Sequence, residues 1–187
     1  MVEFVLCMLL WVPFFLGMWM IGINLIRAIE VTEVCRDAAH MSAFGIDFST
    51  TGNQAVLQKV AQGIDISATG SGVVILSTVT MIGDSDCTAA GLDPNGSCTN
   101  NHQHVFTRQI IIGNSSVRAS AFGTPKPGDI DSNGNIAPGT YLTDTTCVAK
   151  GFSNLMTLAS GQYAYMAEMT VNSPDLSNAA SSARSIF

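Results

Sequence analysis

A chain of 187 residues with a formal net charge of −6 has room for one ordinary domain and one long helix, and not for two independent cores. Only 12% of the residues are charged and 47% are hydrophobic, about half the charged share of a soluble globular protein, so a large part of the chain avoids water. The eight basic residues are scattered and leave no footprint for a phosphate backbone, which excludes nucleic acid as a partner.

The first element is apolar. From Phe4 to Ile26 no residue is charged, and the run FVLCMLLWVPFFLGMWMIGINLI spans about 34 Å as a helix, one bilayer core. A secretory signal peptide has a basic start, a shorter apolar stretch and a small-residue cleavage site, none of which is seen. Glu3 opens the run and Arg27 closes it. Pro13 lacks an N–H, and Gly17 and Gly22 soften the same stretch, so Pro13 to Gly22 reads either as an ordinary transmembrane kink or as a segment that melts on assembly. Beyond Arg27 the pattern continues as RAIEVTEVCRDAAHMSAFG, with Ala28, Val31, Cys35, Ala38 and Ser42 on a small-residue stripe and charges around the remainder. One helix therefore leaves the apolar phase without breaking, about 65 Å over some forty-five residues.

After Gly45 the composition turns polar. Asn53 is expected to cap a short helix, QAVLQKVAQ, that Gly63 ends. Strand patterns follow at GVVILSTVTMIG, HVFTRQIIIG, SSVRASAFG and QYAYMAEMTVN. The expected fold is α+β, a helical stalk over residues 1–50 and an antiparallel β-rich head over 51–187 that packs a sheet on the charged half of the helix.

Five cysteines show no CxxC, zinc-ribbon or haem spacing. Cys87 and Cys98 flank the turn-rich loop GDSDCTAAGLDPNGSCTNN, where a disulfide supplies the order that apolar burial cannot, about 3 kcal/mol by chain entropy. That places the head in an oxidising compartment. Cys35 and Cys147 are the candidates for a second bridge, and Cys7 is left as a free thiol. The segment PKPGDIDSNGNIAPGTYLTD sets Asp129, Asp131, Asn133, Gly134 and Asn135 in the order of a calcium loop. Its twelfth position is Thr140 and not a bidentate Glu, so it is a Ca2+ candidate and not an EF-hand, with Asp144 as a further ligand; a plain Asn/Gly turn is the alternative. Asn95 and Asn114 fit the glycosylation pattern. His102 and His104 lack a third metal ligand, and no nucleophile elbow or phosphate loop is found, so an enzyme is not expected.

The opening MVEFVLCMLLWVPFFLGMWMIGINLIRAIEVTEVCRDAAHMSAFG resembles the TadE-like branch of the type IV pilin superfamily, and SGQYAYMAEMTVNSPDL is similar to its closing strand. About a third of the chain carries the likeness, which implies a filament subunit. Glu3 matches the acidic residue that follows the prepilin cleavage point, usually fifth in the mature chain and third here. Either two mature residues and a leader lie outside this sequence, or Met1 is an unusual first residue. The resemblance further implies Glu3, Pro13, Gly17 and Gly22 as assembly residues, and as partners a homopolymer of the chain itself, the inner membrane before assembly and the pilus-assembly machinery. The mature protein would lie in a filament on the cell surface, serving attachment or motility. A minor pilin or pseudopilin, and a membrane-anchored binding module that never polymerises, are the competing readings. Charge chemistry supports Glu3 separately: a carboxylate in an apolar core costs a few kcal/mol unless a neighbouring chain's α-amino group neutralises it.

Overall fold

The computed structural model describes residues 2–61, 63–173 and 179–187, and the side chains at 2, 3, 5, 6, 173 and 179 lie outside that description. Helix α1 runs from Val2 to Ala43, 42 residues. That is about 63 Å at the usual rise. It passes through Pro13 without interruption: the missing N–H removes one bond, and the flanking turns keep the rest. Polar side chains along the apolar stretch are satisfied by the helix itself, since Asn24 donates to the Met20 carbonyl at 2.8 Å and Thr32 to the Ala28 carbonyl at 2.8 Å. Neither needs water. The helix ends in a Schellman motif. Gly45 takes the left-handed conformation at φ 82°, its N–H donates to the Ser42 carbonyl, and the Ile46 N–H donates to the Met41 carbonyl.

Four antiparallel strands follow: β1 (Gly72–Met81), β2 (His104–Gly113), β3 (Tyr163–Ser173) and β4 (Ala179–Ile186), in the spatial order β2-β1-β3-β4. Short helices α2 (Thr51–Val60), α3 (Asp84–Ala89) and α4 (Pro138–Tyr141) lie in the connections. The layout is α+β, a long apolar helix followed by an antiparallel sheet, as expected.

Alternation along the strands builds two cores. On one face Val74, Leu76, Ile112, Ala167, Met169 and Val171 pack against Val31, Val34, Cys35, Ala38 and Ala39 of α1, with Phe48 and Leu57 closing the side. Helix α1 runs alongside β4: Val31 lies by Val171 and Ser181, the Cys35 thiol donates to the Ala167 carbonyl at 3.3 Å, and the His40 ring sits 5.0 Å from that of Phe187. Ala28 is exposed, so the stripe is covered only from Val31 onwards. The small residues of the stripe are thus covered by the chain's own sheet, where Ala38 and Ala39 allow the close approach. On the opposite face, beyond a register shift at Thr78/Val79, Val79, Phe106, Ala164 and Met166 are covered by the long β2–β3 connection through Phe122, Cys147, Ala149, Phe152 and Leu158. The head's core begins inside the helix at Val31, so a boundary at residue 50 cuts through it.

Two expectations fail for local reasons, and one strand has no signal in the sequence. Residues 115–123 form a loop, because Asn114 folds back on Ser116 and the Ser120 and Ala121 donors go to the Glu168 carboxylate in place of a strand ladder. Strand β4 was not expected from AASSARSI; its small side chains suit the narrow space beside α1, and pairing with β3 supplies what intrinsic propensity does not. Helix α2 starts at Thr51 after Thr50, and Asn53 is not its cap: the Asn53 amide donates to the Asp47 carbonyl at 2.6 Å.

Candidate assembly surface and loop sites

Every residue from Cys7 to Ile23 is exposed, Leu10 and Trp19 each to 72%. This apolar half of α1 is long enough to cross a membrane, and the head covers none of it. A bare apolar surface of that extent must be met by lipid or by other chains. A Cβ added at Gly17 or at Gly22 would meet nothing within 4 Å, so no contact within the chain calls for glycine at either position. Glu3 lies on the first turn of α1, and its side chain falls outside the described residues. Arg27 stands about 36 Å further along by helical rise, half-buried at the edge of the head.

Cys87 and Cys98 form a disulfide that closes a loop within the β1–β2 connection, from α3 to the stretch before β2, over a separation of 11 residues. Cys35 and Cys147 are not bridged. Cys35 lies on the helix side of the sheet and Cys147 in the cluster on the other side, so the sheet itself separates them. Burial pushes the Cys147 thiol up to about 11, with Asp144 and Asp129 adding to the effect, which keeps it protonated and unreactive. Cys7 is free and exposed. A non-reducing peptide map is expected to show Cys87 linked to Cys98 and the other three cysteines as thiols. Replacing both bridged cysteines by Ser should lower unfolding free energy by about 3 kcal/mol, and alkylation of Cys87 without reduction would refute the bridge.

The calcium-type loop folds as a tight hydrogen-bonded turn. Asp131 accepts the Asn133 N–H and the Asn135 N–H, each at 2.8 Å, and these contacts, Asn135 first, hold its carboxyl below the usual range. Gly134, at φ 81°, sits where a Cβ would come within 2.5 Å of Ile110, and its carbonyl accepts from the Gln109 N–H, which fastens the turn to the edge of β2. Asp129, Asp131, Asn135 and Thr140 line one open depression of about 400 Å³. Asn133 is not among them, and its carbonyl accepts from Arg108 at 3.1 Å. Asp144 is turned elsewhere: Lys126, 2.6 Å away, and then the Thr146 N–H hold its carboxyl down to about 2. One oxygen of Asp129 is buried without a hydrogen-bond partner. Among the described residues no group of three His, Cys, Asp or Glu side chains converges on a point.

The two histidines separate. His102 is exposed beside Asp84 at 3.3 Å, whereas His104 is buried against Phe152 and accepts the Leu158 N–H at 3.5 Å. The two glycosylation candidates also differ. Asn95 is exposed; Asn114 is half-buried, its amide nitrogen donating to the Gly70 carbonyl at 2.9 Å, so a sugar there would break that contact. Asp47, held low by Ser49 and then by Arg108, pins the turn after α1 to β2.

Sequence reasoning missed a cavity on the sheet face away from α1, because its residues come from β1, β3, β4 and the loop read as a strand. No protein-family model, curated protein or solved structure matches this chain. Fold and surface define a class by themselves: an α+β protein with a long, bare, apolar N-terminal helix and a disulfide-bearing head.

Proposed function

We propose that the chain is a pilin-like subunit of a type IV or Tad-like filament, held in the inner membrane through α1 before assembly and packed through α1 afterwards. The observation that supports it most is the division of one unbroken helix, bare and apolar from Cys7 to Ile23 and then covered on one face by its own sheet at Val31, Val34, Cys35, Ala38 and Ala39. A subunit of this design carries its head on a rod whose exposed half is met by lipid first and by neighbouring rods later. The disulfide suits an extracytoplasmic head. Burial of the small-residue stripe under β3 and β4 gives an anchored, non-polymerising head some support as well, since a docked sheet also explains why the helix continues past the membrane. Negative-stain microscopy of sheared surface material, with mass spectrometry of the filaments, separates the two. Filaments containing this chain are expected; recovery of the chain only from membranes would leave the anchored module.

The depression at Asp129, Asp131, Asn135 and Thr140 is, in this reading, a weak Ca2+ site of the extracellular kind, with two carboxylates and no bidentate Glu. About 10 mM Ca2+ should then stabilise the head by about 1.4–2.7 kcal/mol through mass action on the folded state. The melting temperature in Ca2+ and in EDTA is the measurement, and equal values would dispose of the site.

A further inference from the structure

The face of the sheet away from α1 carries a cavity of about 260 Å³. Two cross-strand rows build it: Val73, Thr170 and Ser182 in one, Ile75, Glu168 and Arg184 in the other. Arg118, from the loop 114–122, completes the wall. Glu168 is buried and fully engaged. It accepts from the Ser120 hydroxyl and from the Ala121 N–H at 3.1 Å, and pairs with Arg184 at 3.5 Å. The Arg184 guanidinium also lies 4.3 Å from the centre of the Phe122 ring, so its position is set from two sides.

Glu168 and Arg184 cancel in charge, which leaves Arg118 to decide the sign. Arg118 is exposed and, among the described residues, makes no hydrogen bond or ion pair. The Thr170 and Ser182 hydroxyls likewise make no side-chain hydrogen bond among the described residues. Two unused hydroxyls and an unpaired guanidinium, over a floor that Val73 and Ile75 close with almost no exposed surface of their own, match a small ligand with hydroxyl groups and one carboxylate. The volume lies just below the usual range for ligand pockets, about 300–1,000 Å³, and suits one small unit and not a chain of them. A guanidinium binds a carboxylate through two parallel hydrogen bonds, which a simple point charge does not offer.

We propose that this cavity binds a single acidic sugar unit, its carboxylate on Arg118 and its hydroxyls on Thr170 and Ser182. The site lies on the opposite side of the sheet from α1, so the helix can be covered by lipid or by other helices without blocking it. The proposal goes beyond the filament reading and does not depend on polymerisation.

The test is calorimetric titration of the full chain in detergent micelles with galacturonate, with galactose and inorganic phosphate as controls. Galacturonate should bind, with galactose and phosphate at least about tenfold weaker. Arg118→Gln, at an exposed position, should keep its melting temperature and weaken galacturonate about ten- to hundredfold, the loss of a charged hydrogen-bond pair. Arg118→Lys should recover part of that loss. Absence of galacturonate binding, equal binding by Arg118→Gln, or galactose binding as tightly as galacturonate would each overturn the proposal. Phosphate binding as tightly as galacturonate would reduce the site to a bare anion site and overturn it as well.

Discussion

Cells making only the Glu3→Gln variant are expected to accumulate the protein in the membrane and to assemble few filaments or none. The argument starts from charge. In a packed bundle of α1 helices the Glu3 carboxylate is removed from water at a cost of several kcal/mol. Within the same chain the nearest cationic side chain along α1 is Arg27, about 36 Å away by helical rise, well beyond the range of a useful interaction. A neighbour's α-amino group is the cation at the right depth, and only one stagger between subunits brings the two together. Gln keeps the shape and removes the charge, so insertion into the bilayer should become slightly easier while register is lost. Fractionation with immunoblotting measures the membrane pool, and electron microscopy counts the filaments. Normal filaments from the variant would show that helix packing alone sets the register.

Ala38→Asp should separate the head from its helix. Ala38 has no exposed surface and lies in the cluster that joins α1 to β1, β3 and the closing helix α2. An unpaired carboxylate there has no cation in that cluster and brings a penalty of several kcal/mol, a large share of the 5–15 kcal/mol that holds a typical domain together. The folded head should lose cooperative melting or melt far lower, and trypsin should cut after Arg36 in the detergent-solubilised chain, where the side chain is already exposed and only the docked sheet keeps the backbone helical. Asp37→Ala, one residue earlier and exposed, is the control and should change neither readout. Retained melting and a protected Arg36 in Ala38→Asp would mean that the sheet is held by something other than this contact.

The parts of the fold that were legible in the sequence are those where one local signal decides the outcome. The uncharged run after Glu3 and the three- and four-residue spacing after Arg27 gave one helix, and the β-branched runs at 72–81, 104–113 and 163–173 gave three strands. The Cys87–Cys98 bridge was legible because the loop between them has little else to order it. What the sequence hid depends on partners distant along the chain. Strand β4 exists because β3 and α1 receive it, and Ala/Ser-rich segments carry no strand signal of their own. The stretch 115–123 alternates like a strand, yet the Glu168 carboxylate takes its donors. The Asp131 loop has calcium spacing, and backbone N–H groups take up one of the oxygens an ion would use. Cys35 and Cys147 looked like partners by elimination, and no local pattern reports that a sheet stands between them. The cavity around Glu168 draws on three strands and a loop, so its chemistry became visible only when the register was known.

The way α1 enters the head also fixes how the molecule bears load. The helix continues into the core with no hinge, and from Val31 to His40 it lies along β4, meeting Ser181 near one end of that strand and Phe187 at the other. A pull on the head directed along the helix axis therefore acts on Val31, Val34, Cys35, Ala38 and Ala39 together, in shear. Those contacts share the force and must yield at once, whereas a sideways pull would open them in turn from one end. The same five side chains that let the sheet lie close thus make the joint stronger along the helix axis than across it.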